Sequence, residues 1–185
     1  MCPLKKVLVT YCTRYGSTAE VAEEIAKVFV ENGLTATVVN LRENKTDLLI
    51  DDYDGVVVGS SIKAGQWTKE AKNFLKEHKE KLASKPLALF VCCGDAVEEK
   101  LKDKAQSEYL EAILAEVGLE SQHYEAFPGV FDFSNETNMG WMDRKILAAV
   151  MKRRSENASS IDTRSRNDFR DWDAIREFAK RFIST

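Results

Sequence analysis

The sequence predicts an α/β fold of three layers, a doubly wound five-stranded parallel sheet between two sets of helices, on three observations. Short apolar runs alternate with stretches of helical spacing along nearly the whole chain, the signature of repeated strand and helix units. The run Leu87-Ala88-Leu89-Phe90-Val91 has no polar alternation, as expected of a strand covered on both faces. At 185 residues the chain accommodates five such units of roughly 30 residues in one domain and leaves about 35 residues over.

The elements follow in order. Val7 to Tyr11 reads as a buried first strand, followed by a polar turn and then by Val21, Ala22, Ile25, Ala26 and Phe29 at helical spacing. Asn32-Gly33 stops that helix, Ala36 to Leu41 forms the second strand, and Asp54-Gly55 introduces the third, Val56 to Gly59. Ala71, Phe74 and Leu75 space a helix ending near Ser84-Lys85-Pro86, which leads into the fourth strand. Tyr109, Ile113, Leu114 and Val117 mark a further helix closed by Gly118. A fifth strand is expected from His123 to Phe133. An amphipathic helix from Asp171 to Phe182, with Trp172, Ile175, Phe178 and Ala179, ends the fold. The rhythm fails at 134–170, which holds the surplus as an insertion before the last helix.

Lys and Arg number 27 against 30 Asp and Glu, a net charge of −3, so no nucleic-acid partner is expected. The four cysteines, Cys2, Cys12, Cys92 and Cys93, include two sequence neighbours and do not form a secreted disulfide framework. Val7-Leu8-Val9 is too short for a signal core or a membrane span. A reducing, cytoplasmic location is expected. His78 lies on a charged helix face and His123 at a strand start, so no metal site is expected.

In an open parallel sheet, ligands bind outside the carboxyl ends of the strands near the switch point. The loop after the first strand, Thr13-Arg14-Tyr15-Gly16-Ser17-Thr18, is rich in hydroxyls and contains the glycine a tight turn needs. It can direct several N–H and O–H donors at one phosphate on the N-terminus of the following helix. A plain helix cap made by Ser17 and Glu20 is the simpler alternative. Patterns for nucleoside triphosphates and dinucleotides are absent, because no Gly-Lys-Ser/Thr and no three-glycine motif is present. A cysteine phosphatase loop built on Cys12 would need an arginine where Thr18 stands. A response regulator would need an acidic cluster at the first strand.

The loop resembles the phosphate loop of the flavodoxin-like family, Ser/Thr-x-Thr-Gly-x-Thr, with Tyr15 where threonine is usual. The resemblance implies binding of flavin mononucleotide, FMN. It places the ring between Ser60, Ser61, Ile62, Lys63, Ala64, Gly65 and Trp67 on one side and Cys92, Cys93, Gly94 and Asp95 on the other. The tyrosine usual after the second loop is replaced by Ala96-Val97. Trp67 then either covers one ring face or packs on the sheet where the next helix begins. Cys92-Cys93 offers a thiol redox pair or two small buried residues. Lys63 near the ring would raise its potential, whereas Asp95, Glu98 and Glu99 would oppose reduction.

Gly59 to Gly65, Gly129 to Trp141, and Asp162-Thr163-Arg164 with Asp171-Trp172 are similar to the quinone-dependent protoporphyrinogen dehydrogenases, flavodoxin-like proteins with a long insertion before the last helix. That implies either an electron carrier with a redox partner protein or a dehydrogenase with porphyrinogen and quinone as substrates. A flavin-free regulatory or scaffold domain on the same fold stays open as a third reading.

The insertion carries eight basic and five acidic residues. A helix is expected from Gly140 to Arg154, with Met142, Ile146 and Val150 on one line, Leu147 and Met151 beside it, and Lys152-Arg153-Arg154 at its end. Those charges either complement the helix dipole or face an acidic partner, a quinone headgroup or an anionic membrane surface through 134–170.

Overall fold

The computed structural model describes residues 4–43, 48–134, 140–154, 162 and 164–184, without the side chains of 146, 147 and 150–154. β1 (Lys6–Cys12), β2 (Thr35–Asn40), β3 (Gly55–Ser61), β4 (Leu87–Cys93) and β5 (His123–Pro128) form one sheet in the order β2-β1-β3-β4-β5. Every pairing is parallel, and Val9 stands opposite Val38 on one side and Val57 on the other. All residues of β3 and β4 are buried, which is why those runs show no polar alternation. The strand order reverses between β1 and β3, so their loops lead into opposite layers and leave a crevice at the carboxyl edge.

The helices are α1 (Ser17–Glu31), α2 (Lys69–Glu77), α3 (Lys79–Ala83), α4 (Glu99–Ala105), α5 (Ala112–Val117), α6 (Trp141–Arg154) and α7 (Trp172–Ile183), with a π-helical segment Gln106–Glu111 joining α4 to α5. The helix expected to end near Ser84 is divided into α2 and α3 at His78, whose ring lies 4.8 Å from Phe74. One core packs Val21, Ile25 and Phe29 of α1 and Ile175, Phe178 and Phe182 of α7 against Val7, Val9, Val57 and Phe90. The other packs Ala71, Phe74 and Leu75 of α2 and Ile113, Leu114 and Val117 of α5 against Leu8, Val56, Val58 and Leu89. Each buried phenylalanine contributes about 1.5–3 kcal/mol by its removal from water. Gly59 sits where a Cβ would come within 2.2 Å of the Phe90 ring, so the neighbouring strand side chain occupies the space a larger residue would need.

The run from His123 to Phe133 is not one strand. β5 stops at Pro128, which has no N–H for the ladder. After Gly129 the chain enters β6 (Val130–Asp132), which pairs antiparallel with β7 (Arg166–Asp168). The insertion therefore returns as a strand before α7, and Asp171 caps that helix through a hydrogen bond from the Ala174 N–H at 2.9 Å. Phe131 and Phe133 bury themselves against Val97, Ala148 and Phe169, a third small core beside the main sheet. The expected helix is present as α6, but the apolar line through Ile146, Val150 and the neighbouring Leu147 and Met151, like the Lys152-Arg153-Arg154 side chains, lies outside the described residues. So do Cys2, Asn135 to Met139, Glu156 and Thr163.

Candidate cofactor site

The loop 13–18 closes on itself. The Gly16 N–H donates to Thr13 Oγ1 at 2.9 Å, and Gly16 has φ of 103°, a left-handed conformation that a side chain would strain. The first turn of α1 then begins with Ser17 and Thr18, whose N–H groups have no intrahelical acceptor. Thr18 is fully buried, and its hydroxyl has no hydrogen-bond partner among the described residues. Arg14 does not turn toward that end. Its guanidinium crosses to the loop after β3 and donates to the Ser61 carbonyl at 2.6 Å and the Trp67 carbonyl at 3.3 Å, binding the two loops together.

The loop after β3 is a tight hairpin in which the Lys63 and Gln66 backbones pair reciprocally at 3.0 and 3.2 Å. Its two central residues, Ala64 (φ 49°) and Gly65 (φ 74°), are both left-handed, and Ala64 is alone among the described non-glycine residues in having positive φ. Ser60 is fully buried and pairs with the Thr68 hydroxyl at 3.0 Å, while Ile62 donates to the Cys92 carbonyl at 3.0 Å. Lys63, Ala64 and Gly65 are exposed at the crevice.

Trp67 takes the packing role. It is 8% exposed, and its indole N–H donates to the Tyr109 carbonyl at 2.8 Å. Cys92 and Cys93, successive residues of β4, point to opposite faces and lie in different cores. Burial pushes the Cys92 thiol up to about 12 and the Cys93 thiol up to about 11, so both are protonated at neutral pH and neither is a ready nucleophile. Burial likewise raises Cys12, whose thiol meets Glu70 at 3.5 Å.

Two residues that the sequence did not assign to the site organise this end. Tyr109, turned inward by the π-helical segment, donates its hydroxyl to Asp95 at 2.5 Å while its carbonyl holds Trp67. One residue thus braces both loops. Burial, then the hydrogen bond to Asp95, raises the Tyr109 pKa. Asp143, in the first turn of α6, accepts from Lys63 at 2.8 Å and from the Tyr15 hydroxyl at 2.8 Å, and Lys63 also reaches that hydroxyl at 3.1 Å. The inserted helix is therefore latched onto both loops by one carboxylate. Lys63 lowers the Asp143 pKa, with Tyr15 second, and Asp143 raises that of Lys63. Between β6 and α6 a groove of about 260 Å³ is lined by Phe133, Trp141, Arg144, Lys145 and Ala148. The Lys145 ammonium stands 5.2 Å from the Trp141 ring centre, and Trp141 is 62% exposed.

A family profile described as Flavodoxin domain matches residues 8–160. The chain belongs to the flavodoxin domain family. It is 26% identical over 175 residues to the protoporphyrinogen IX dehydrogenase [quinone] of Escherichia coli K12, covering 95% of this chain and 93% of that protein. Among solved structures it is similar to rubredoxin oxygen:oxidoreductase of Desulfovibrio gigas, at 15% identity and a TM-score of 0.60, where it spans only 36% of the longer chain. It is also similar to flavodoxin 1 of Bacillus cereus, at 16% identity and a TM-score of 0.57, covering 97% of this chain and 98% of that one. Both structures share the fold of this flavodoxin-domain chain.

Of the residues picked from the sequence, Thr13, Gly16, Ser17 and Thr18 gather at the start of α1, and Tyr15 and Lys63 meet through Asp143. Gly94 and Asp95 follow β4, and a side chain at Gly94 would come within 3.3 Å of the Phe131 ring. Ala96 is buried and Val97 packs on the Phe131 cluster, so aromatics from β6 stand behind the second loop where the sequence places none. Among the described residues no group of three or more metal-ligating side chains gathers, and no helix is long and apolar enough to cross a membrane.

Proposed function

We propose that this flavodoxin-domain chain binds FMN across the crevice and passes electrons through its ring. The observation that carries the reading is the start of α1. A left-handed glycine, first-turn N–H groups and the buried, unpartnered Thr18 hydroxyl converge there, a donor set that fits a phosphate. FMN would supply the redox chemistry. The chain's own residues do the rest: the 13–18 loop binds the phosphate, Ser61 to Gly65 and Gly94-Asp95 orient the ring, and Lys63 places a positive charge at its edge. Purified protein should be yellow, or turn so on adding FMN; a colourless chain that takes up no FMN would return the flavin-free regulatory or scaffold reading.

A second reading, protoporphyrinogen dehydrogenation with a quinone acceptor, is favoured by the groove beside α6. Aromatic Phe133 and Trp141 with cationic Arg144 and Lys145 suit a flat tetrapyrrole that bears carboxylates, and the E. coli relative carries that activity in its name. The simpler electron carrier would instead exchange electrons with a redox partner protein docked at the exposed crevice. Turnover of protoporphyrinogen with a quinone, set against reduction by a flavoprotein reductase, separates the two. The peripheral membrane contact through 134–170 is tested by cosedimentation with anionic vesicles. If removing 135–168 left flavin content and every turnover unchanged, the insertion would have no part in function.

A further inference from the structure

Two buried side-chain polar atoms among the described residues lack a hydrogen-bond partner, Thr18 Oγ1 and Arg170 Nη1. Residues far apart in sequence supply them, yet both lie at the same end of the fold. The Thr18 hydroxyl and the Arg170 charge each act on the buried Cys92 thiol. Gly129, whose neighbour in the chain opens β6, adjoins Ser17 and accepts from the Phe169 N–H at 3.4 Å. Arg170 follows β7, has a side chain only 1% exposed, and stacks 4.4 Å from the Trp172 ring centre. Its Nε and Nη2 donate to Asp168 at 2.8 and 2.5 Å, and Nη2 also reaches Glu20 at 2.8 Å. Arg166 adds a second contact to Glu20 at 3.3 Å.

Glu20 is the acidic residue in the first turn of α1. At an empty helix N-terminus such a carboxylate is favourable, because it faces the positive end of the dipole. With a phosphate dianion on the same terminus it becomes a repelling charge. We propose that Arg170 is a specificity-determining residue for the phosphate of the bound flavin: it cancels and holds aside Glu20, in the first turn that also carries Thr18, and keeps its Nη1 uncommitted. The arginine lies two residues after the strand that ends the insertion, so the insertion completes the phosphate end as well as the ring end. This rests on the FMN reading above.

The test is titration of FMN and of riboflavin, which lacks the phosphate, by quenching of flavin fluorescence. Wild type, Arg170→Met, Glu20→Gln and the double variant are compared, each with a thermal melt. Arg170→Met is expected to weaken FMN about tenfold and change riboflavin less than about twofold, the scale of one charge-assisted contact. Adding Glu20→Gln should recover about threefold or more of that loss, since the uncancelled carboxylate is gone. Glu20→Gln alone, on a half-exposed side chain that leaves the core untouched, should tighten FMN about two- to fivefold and leave riboflavin unchanged; it decides the matter even where Arg170→Met fails to melt cooperatively. Equal losses on both flavins, no recovery in the double variant, or no tightening by Glu20→Gln overturns the proposal. A wild type that binds FMN no better than riboflavin overturns it alone, whereas a wild type that binds neither flavin overturns the FMN reading.

Discussion

The two ends of the crevice are built in opposite ways. At the phosphate end the determinants are buried or backbone: Gly16 in a left-handed turn, Thr18 with no exposed surface, and Arg170 packed beneath. At the ring end the groups are half exposed, and the helix that covers them is held by Lys63 and Asp143, whose side chains are 46% and 34% exposed. Buried groups keep their geometry but lose heavily when a partner is removed. Exposed ion pairs contribute little to stability and are screened by salt. The phosphate end is thus suited to holding a ligand, and the ring end to adjusting access and potential.

The sharpest way to break this contrast is Thr18→Val. It removes a buried hydroxyl that faces only the Cys92 thiol among the described residues, a weak partner, so the flavin-free chain should change by less than about 1 kcal/mol in stability while FMN affinity falls about 10- to 100-fold, because a bond to a charged group is strong. Denaturant titration and flavin titration on the same sample read both. If affinity held, the phosphate end would not be where the ligand is gripped. Next in size is Tyr109→Phe, which removes the Tyr109 hydroxyl's hydrogen bond to Asp95 and should cost about 1 kcal/mol, or about 2–5 °C in Tm. That would mark the ring end as braced from below even though it is loose above.

Smaller effects should appear at the latch, and with opposite signs. Lys63→Ala should lower the midpoint potential by about 20–40 mV and Asp143→Asn raise it by a similar amount, as expected for one screened charge near the ring; spectroelectrochemistry gives both. The Asp143 carboxyl is held below its ordinary 3.8 by the hydrogen bonds from Lys63 and Tyr15. A lowered folded-state pKa means that the latch is fully made above that ordinary value and is lost as pH falls through the lowered one. Protection factors of the α6 amides, corrected for the intrinsic pH dependence of exchange, should therefore fall on acidification in the wild type, whereas Asp143→Asn should start about two- to fivefold lower at pH 7 and show no such step. The smallest change is expected for Ala64→Gly, which relieves the one left-handed non-glycine among the described residues and should add up to about 0.5 kcal/mol.

What was legible in the sequence divides along the same line. The 13–18 loop could be read because its donors are contiguous, and a loop of six residues carries its own geometry in Gly16 and its hydroxyls. The ring-end loops could be placed after β3 and β4, but not their supports. Tyr109 has the spacing of any core helix residue, and nothing local announces the π-helical segment that turns it toward Asp95. Asp143 and Arg170 were two charges among thirteen in the insertion. The fifth strand was drawn too long because Val130 to Phe133 is as apolar as a sheet strand, and only Pro128-Gly129 hints at the break.

By itself the sequence determined the parallel sheet and the glycine turn of the 13–18 loop, because apolar periodicity and short-range turn chemistry act over a few residues and are written there; the strand order that sets the switch point came from the structure. Only the tertiary structure decided that Trp67 belongs to the core, that the two β4 thiols face apart, and that the insertion returns to both ends of the crevice through Asp143 and Arg170. Those contacts join residues 80 and 150 positions apart, bringing Lys63 to Asp143 and Glu20 to Arg170. At such separations the pairing is fixed by how the layers stack.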